Sequence, residues 1–195
     1  MRKLIVISFL TLDGVMQAPG GKDEDTSGGF KYGGWQVPFW GDEDDDGLPQ
    51  DIGKAGALLI GRKTYDIFAA YWPTTGKDIA WIGPFMNNTI KYVASKTLKN
   101  TEWQNSVLLK GDTAEAVAKL KQEPGNDIYM FGSGDLCQTL MQHKLIDEYF
   151  LKIYPITLGG GKRLFLPTGP KQDLELLKSK TSKMGVFTAT YKVKK

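Results

Sequence analysis

The chain contains one cysteine, Cys137, and one histidine, His143. A lone cysteine excludes an internal disulfide and suits the reducing cytosol. Its place on the apolar face of a helical segment reads as a core thiol. A lone histidine excludes a multi-histidine metal site, and no CxxC or HxxxH spacing occurs. A Ser-His-Asp triad would have to use His143, near a helix end, with no GxSxG elbow to supply the nucleophile. Charge of one sign is also scarce. The net charge of +3 comes without a dense Lys/Arg block, apart from a solvated Lys192–Lys195 tail, which argues against nucleic acid. Apolar runs fall far short of the ~20 residues of a membrane span. Arg2-Lys3 followed by Leu4–Leu10 imitates a signal peptide, but Asp13 ends the run and no small-residue cleavage site follows, so it reads as a buried strand.

What remains is a chain of 195 residues, enough for one domain (1–195) with a full core. Near-continuous apolar runs at Leu4–Leu10, Ala57–Ile60, Tyr92–Ala94, Val107–Leu109 and Ile128–Phe131 predict buried strands. Thr64–Ala70, Asp112–Lys121 and Leu136–His143 predict helices, the second with Asp112 as cap and Glu115 in the capping-box position. Ile146–Tyr154, Leu174–Lys180 and Val186–Lys194 read as later strands, the last two forming a hairpin around Met184-Gly185. Alternation of β and α followed by antiparallel strands predicts an α/β fold with a mixed, mainly parallel sheet and helices on both faces. Residues 17–50 stand apart. They hold many glycines, an acidic run from Asp42 to Asp46, and the aromatics Phe30, Tyr32, Trp35, Phe39 and Trp40, which predict an ordered lid packed on something. The acidic run reads as a solvated segment or, less simply, a metal site.

Three strands end in residues suited to phosphate. Phe131 leads into Gly132-Ser133-Gly134-Asp135 and then Leu136, a strand that feeds a helix through glycines. Gly61-Arg62-Lys63-Thr64 follows another strand and opens another helix. Ser95-Lys96 follows a third. Backbone N–H groups at helix N-termini attract phosphate, and guanidinium and ammonium groups add charge. Ligands of open α/β sheets lie beyond the carboxyl ends of the strands. Each turn alone also reads as ordinary α/β punctuation; together they favour a ligand with several phosphates.

Four segments resemble the dihydrofolate reductase-like superfamily, in the branch of the riboflavin-biosynthesis reductase C-terminal domain and its stand-alone relatives. They are Ser8–Val15, Leu59–Asp66, Lys91–Leu98 and Asp127–Phe165, the last with Tyr154-Pro155 and Leu158-Gly159-Gly160-Gly161-Lys162-Arg163-Leu164-Phe165. The resemblance implies a three-layer α/β/α fold and a cytoplasmic reductase that uses NADPH. By motif, Gly61, Arg62, Lys63 and Thr64 would hold cofactor phosphates, and Ser95 and Lys96 would face the adenosine 2′-phosphate. Phe131, Gly132, Ser133, Gly134, Asp135 and Leu136 would form the pyrophosphate turn. Ser8, Phe9 and Val15 would border the nicotinamide.

The chain also departs from the folate reductases. Their proton-assisting carboxylate has no clear counterpart; Asp51 and Asp45 are the candidates. The arginine that grips the glutamate tail is replaced by Asn88-Thr89-Ile90. Dihydrofolate is therefore the least expected substrate. A ribosylamino-pyrimidine, as reduced in riboflavin synthesis (5-amino-6-(5-phosphoribosylamino)uracil), is the best expectation, with a non-catalytic NADP- or metabolite-binding protein as the alternative. No membrane partner is expected. Relatives often pair, and late strands with Tyr191 and Val193 exposed would offer an edge for a homodimer.

Overall fold

The structure, a computed structural model, describes residues 1–41 and 47–194. Its elements are β1 (Leu4–Thr11), β2 (Ala57–Gly61), α1 (Arg62–Tyr71), α2 (Ile82–Asn88), β3 (Lys91–Ala94), β4 (Ser106–Leu108), α3 (Thr113–Gln122), β5 (Ile128–Phe131), α4 (Gly134–Gln142), β6 (Glu148–Tyr154), β7 (Leu174–Thr181) and β8 (Phe187–Val193). They build one eight-stranded sheet in the order β4-β3-β2-β5-β1-β6-β8-β7. The strands from β4 to β6 run parallel, and β8 and β7 close the far side antiparallel.

Side-chain alternation along β1 sorts the core into two layers. Leu4 and Val6 pack with Val117 and Leu120 of α3 and with Cys137 and Leu140 of α4. Ile5 and Ile7 pack on the other face with Tyr65 of α1 and Met86 of α2. Every β1 residue except Phe9 is buried, which explains a run without alternation: the strand is covered on both faces. Each fully buried Leu or Ile there contributes roughly 1.5–3 kcal/mol. The arrangement is the three-layer α/β/α fold with a mixed sheet that the sequence predicts.

Asp112 caps α3, its carboxylate accepting from the Glu115 N–H at 3.0 Å. Helix α2 has no counterpart among the predicted elements. It is seven residues long and carries Gly83 and Pro84 in its first turn, both poor helix signals. The hairpin closes where expected, with the Gly185 N–H donating to the Ser182 carbonyl at 3.0 Å. The expected exposure of its last strand is corrected. β8 lies inside the sheet between β6 and β7, Tyr191 is half-buried and Val193 is buried. The free edge belongs to β7, where Leu176 and Leu177 are exposed.

The long connection after β1 builds a third small core. Phe30 and Trp35 are buried with Val15, Tyr154 and Val186, and the Trp35 indole N–H donates to the Gln17 carbonyl at 2.7 Å. Phe39 meets the Tyr154 ring edge-on at 5.3 Å. Tyr32 and Trp40, by contrast, are exposed. The acidic run Asp42–Asp46 lies outside the described residues.

Candidate active site

β1 and β5 are paired only as far as Ile7 opposite Phe131, whereas β1 continues beside β6 to Thr11 opposite Tyr154. From Ser8 onward β1 therefore has no strand paired on its β5 side, at the carboxyl ends of the strands. The Ser8 hydroxyl is buried there without a hydrogen-bond partner among the described residues. Phe9 is half-buried, with its ring 6.5 Å from that of Tyr154. Val15 is fully buried in the third core, its N–H donating to the Thr11 hydroxyl and its carbonyl accepting from the Thr11 N–H, both at 2.9 Å.

Two phosphate-type turns meet beside this stretch of β1. Gly132 has φ +53° and Ser133 φ +57°, a left-handed pair that turns successive N–H groups the same way. A Cβ at Gly132 would lie 3.2 Å from the Thr64 hydroxyl oxygen, so the close approach as well as the dihedral favours glycine. Ser133 is secured by three hydrogen bonds. Its hydroxyl accepts from the Gly61 N–H at 2.9 Å and donates to the Phe131 carbonyl at 2.8 Å. Its own N–H donates to the Thr64 hydroxyl at 3.1 Å. These bonds zip the start of α1 to the start of α4. Neither helix has a side-chain cap, in contrast to α3. First-turn N–H groups without an internal partner suit an anion.

The cations around the turns are engaged to different degrees. Arg62 directs its Nε to the Asp66 carboxylate, 2.7 Å away along the helix. The Gly61–Ala94 register brings Ser95-Lys96 next to Arg62. The Ser95 hydroxyl accepts from the N–H groups of Thr97 and Leu98 at 3.2 and 3.0 Å, fixing the chain as it leaves β3, and Lys96 is exposed. Lys63 donates to the Ser27 hydroxyl at 2.6 Å and to the Asp25 carboxylate at 2.8 Å. Asp135 stands in the first turn of α4, and Leu136 packs against Gly61.

Asp25 escaped the sequence reading, and Lys162 entered it only as part of the Leu158–Phe165 segment, without a role. The Asp25 carboxylate is only 9% exposed, and its second oxygen takes an ion pair from Lys162 at 2.8 Å. Burial opposes its ionisation, but Lys162, Lys63 and Ser27 outweigh that and hold its carboxyl well below the usual carboxylate range. Lys63 responds in kind: burial pulls it down, and contact with Asp25 prevails and raises it. Pairing of groups this far apart in the chain leaves no local signal.

The connection after β1 is fastened to the segment after β6 at several further points. The Asp13 carboxylate accepts from the Thr11 hydroxyl and from the Leu158 and Gly159 N–H groups, and these bonds lower its pKa against the effect of burial. Arg163 donates to the Asp13 carbonyl. The Gln17 amide accepts from the Lys162 N–H at 3.0 Å and donates to the carbonyls of Asp25 and Ser27. Gly161, at φ +128°, lets the two segments touch; a Cβ there would fall 2.7 Å from Val15 and 2.8 Å from Phe30.

Of the two carboxylate candidates, the one among the described residues, Asp51, does not join this site. Asp45 lies outside the described residues. Asp51 is exposed and paired with Lys54 at 3.0 Å. It lines a separate cavity of about 240 Å³ with Lys3, Asp127 and Glu148, at the amino ends of the strands. That places it at the opposite end of the sheet from the turns. Cys137 is buried, and burial pushes its thiol up to about 12, as suits a core residue. Among the described residues there is no cluster of potential metal ligands and no helix long and apolar enough to cross a membrane.

The donor set fits a diphosphate: two uncapped helix starts, a left-handed Gly-Ser turn between them, and a lysine that already holds a carboxylate. Known proteins are similar to this chain in sequence or in fold. The uncharacterized Bacillus subtilis protein YyaP is 28% identical, covering 97% of this chain and 94% of its own length. A second uncharacterized B. subtilis protein, YwjB, is 24% identical over 84% of this chain and 83% of its own length. A Shewanella protein provisionally assigned to riboflavin biosynthesis superposes with a TM-score of 0.72 at 22% identity, covering 99% of both chains. Dihydrofolate reductase from Enterococcus faecalis, solved with NADP(H), superposes with a TM-score of 0.58 at 14% identity, covering 99% of this chain and 97% of its own. The fold is thus dihydrofolate reductase-like, and with residues 2–188 matching the RibD C-terminal domain, the chain belongs to that family.

Proposed function

We propose that the protein is an NADPH-dependent reductase acting on a small heterocyclic substrate, with a ribosylamino-pyrimidine as the best specific choice. The observation that carries this reading is the pair of uncapped helix starts zipped through Ser133, beside the stretch where β1 runs on past the end of β5. Gly132–Leu136 and Gly61–Thr64 would hold the diphosphate, and Ser95 and Lys96 would meet the 2′-phosphate. Ser8 and Phe9 would border the nicotinamide, with Val15 packed behind them in the third core. NADPH, when bound, supplies the hydride; the chain's part is to orient it and to exclude water from the site. Family membership supports the riboflavin-type substrate. The lack of an arginine at Asn88–Ile90 speaks against a folate tail.

Binding of NADPH and NADH, followed by ligand fluorescence, tests the reading. NADPH should bind well below about 1 mM, the concentration at which affinity is worth only about −4 kcal/mol. Lys96→Glu should weaken NADPH at least tenfold, about one charge-assisted contact, and leave NADH nearly unchanged. Equal losses for the two cofactors would remove Lys96 from the 2′-phosphate site. The position of Asp51 at the other end of the sheet favours a second reading, in which the protein binds the cofactor without turnover. Tight NADPH binding with no oxidation in the presence of the ribosylamino-pyrimidine would select it.

A further inference from the structure

Asp25 is a carboxylate beside the candidate site that pairs with two lysines. One oxygen receives Lys63 at 2.8 Å, the Ser27 hydroxyl at 2.6 Å and the Ser27 N–H at 3.1 Å. The other receives Lys162 at 2.8 Å. Two ammonium groups from distant parts of the chain thus converge on one nearly dry anion. Lys63 belongs to the first turn of α1, next to Thr64, whose hydroxyl is bonded to the Ser133 turn. The seat filled by Asp25 therefore adjoins the helix starts that the reading above gives to the cofactor diphosphate, and Lys63 cannot serve both anions fully at once.

We infer that Asp25 is a built-in competitor for the cofactor diphosphate, and that Lys162 is a further diphosphate-binding residue beside Lys63. On loading, the Asp25 carboxylate leaves both ammonium groups, and diphosphate oxygens take its place. The exchange needs little backbone movement. The Gln17 amide holds the carbonyls of Asp25 and Ser27 and the N–H of Lys162, so the frame on both sides stays fixed while one short side chain turns away. Like charge between carboxylate and diphosphate favours that departure, and with no NADPH bound the carboxylate keeps two lysines from repelling each other.

This inference rests on the cofactor reading, and binding measurements separate the two. Asp25→Asn keeps the shape and removes the charge. It should tighten NADPH about tenfold, the weight of one charge-assisted contact. Adenosine 2′-monophosphate, which lacks the diphosphate, should bind wild type and Asp25→Asn equally. Adding Lys162→Gln to Asp25→Asn should weaken NADPH about tenfold again. Asp25→Ser, a smaller neutral replacement, should reproduce the gain if the charge is what matters. Thermal melting of each variant establishes that it is folded. Unchanged or weaker NADPH binding by folded Asp25→Asn and Asp25→Ser overturns the competitor role and makes Asp25 a clamp that binding requires. An equal gain for adenosine 2′-monophosphate also overturns it. If neither wild type nor the variants bind NADPH, the cofactor reading itself falls and takes this inference with it.

Discussion

Ser133 shows how one residue can reconcile local strain with a shared role. A left-handed conformation costs a non-glycine residue about 1–2 kcal/mol, and three hydrogen bonds to Gly61, Phe131 and Thr64 offset it. Ser133→Ala keeps the strain and leaves the Gly61 N–H without its acceptor. Ser133→Gly relieves the strain and loses the same bonds. Urea unfolding should show a loss of about 2 kcal/mol for alanine and about 1 kcal/mol for glycine; the reverse order would contradict this account. Asp25 makes a pH prediction of its own. Its pKa is lowered on folding, so its contribution is present above the ordinary carboxylate value of 3.8 and is lost as pH falls through the lower folded value. The Lys63 pKa is raised, so its share is complete below its ordinary 10.5 and is lost only above the raised value. The difference in NADPH affinity between wild type and Asp25→Asn should therefore stay level from about pH 5 to about pH 9. A titration with a midpoint inside that window would show that another group governs the seat.

Among the elements, legibility in the sequence followed burial. β1 and β5 are covered on both faces, so their apolar runs announced them. α3 announced itself through Asp112, and Asp112→Ala should cost about 1 kcal/mol in thermal or urea unfolding, with the loss confined to stability. α2 was illegible because its first turn carries Gly83-Pro84 and its length gives hardly two turns of periodicity. The identity of the sheet edge was illegible for a different reason. Both segments read simply as strands, and which of them meets β6 depends on how the hairpin docks on the sheet. The glycine turns were legible as turns. Their union through Ser133, and the seating of Asp25 between Lys63 and Lys162, depend on contacts across 36 or more residues, which no window of sequence contains.

At the scale of the whole molecule, the helical layer behind β1 is tied to the sheet by charge as well as by packing. Lys121 of α3 is buried and donates to the Asp147 carboxylate and the Leu145 carbonyl, and the same carboxylate accepts from the Leu4 N–H. Removing one member of such a pair strands the other in a dry site. Asp147→Ala should therefore destabilise the protein by about 3–5 kcal/mol in equilibrium unfolding, more than the loss of a surface pair such as Lys54–Asp51, which should be below about 1 kcal/mol. The central place of β1 also governs the order of events in folding. Its two neighbours, β5 and β6, begin at Ile128 and Glu148, so the earliest strand made waits longest for a partner. Until more than two-thirds of the chain has emerged, an almost wholly apolar strand waits without a sheet to join, which makes assembly slow and leaves that segment as the one a chaperone would need to shield.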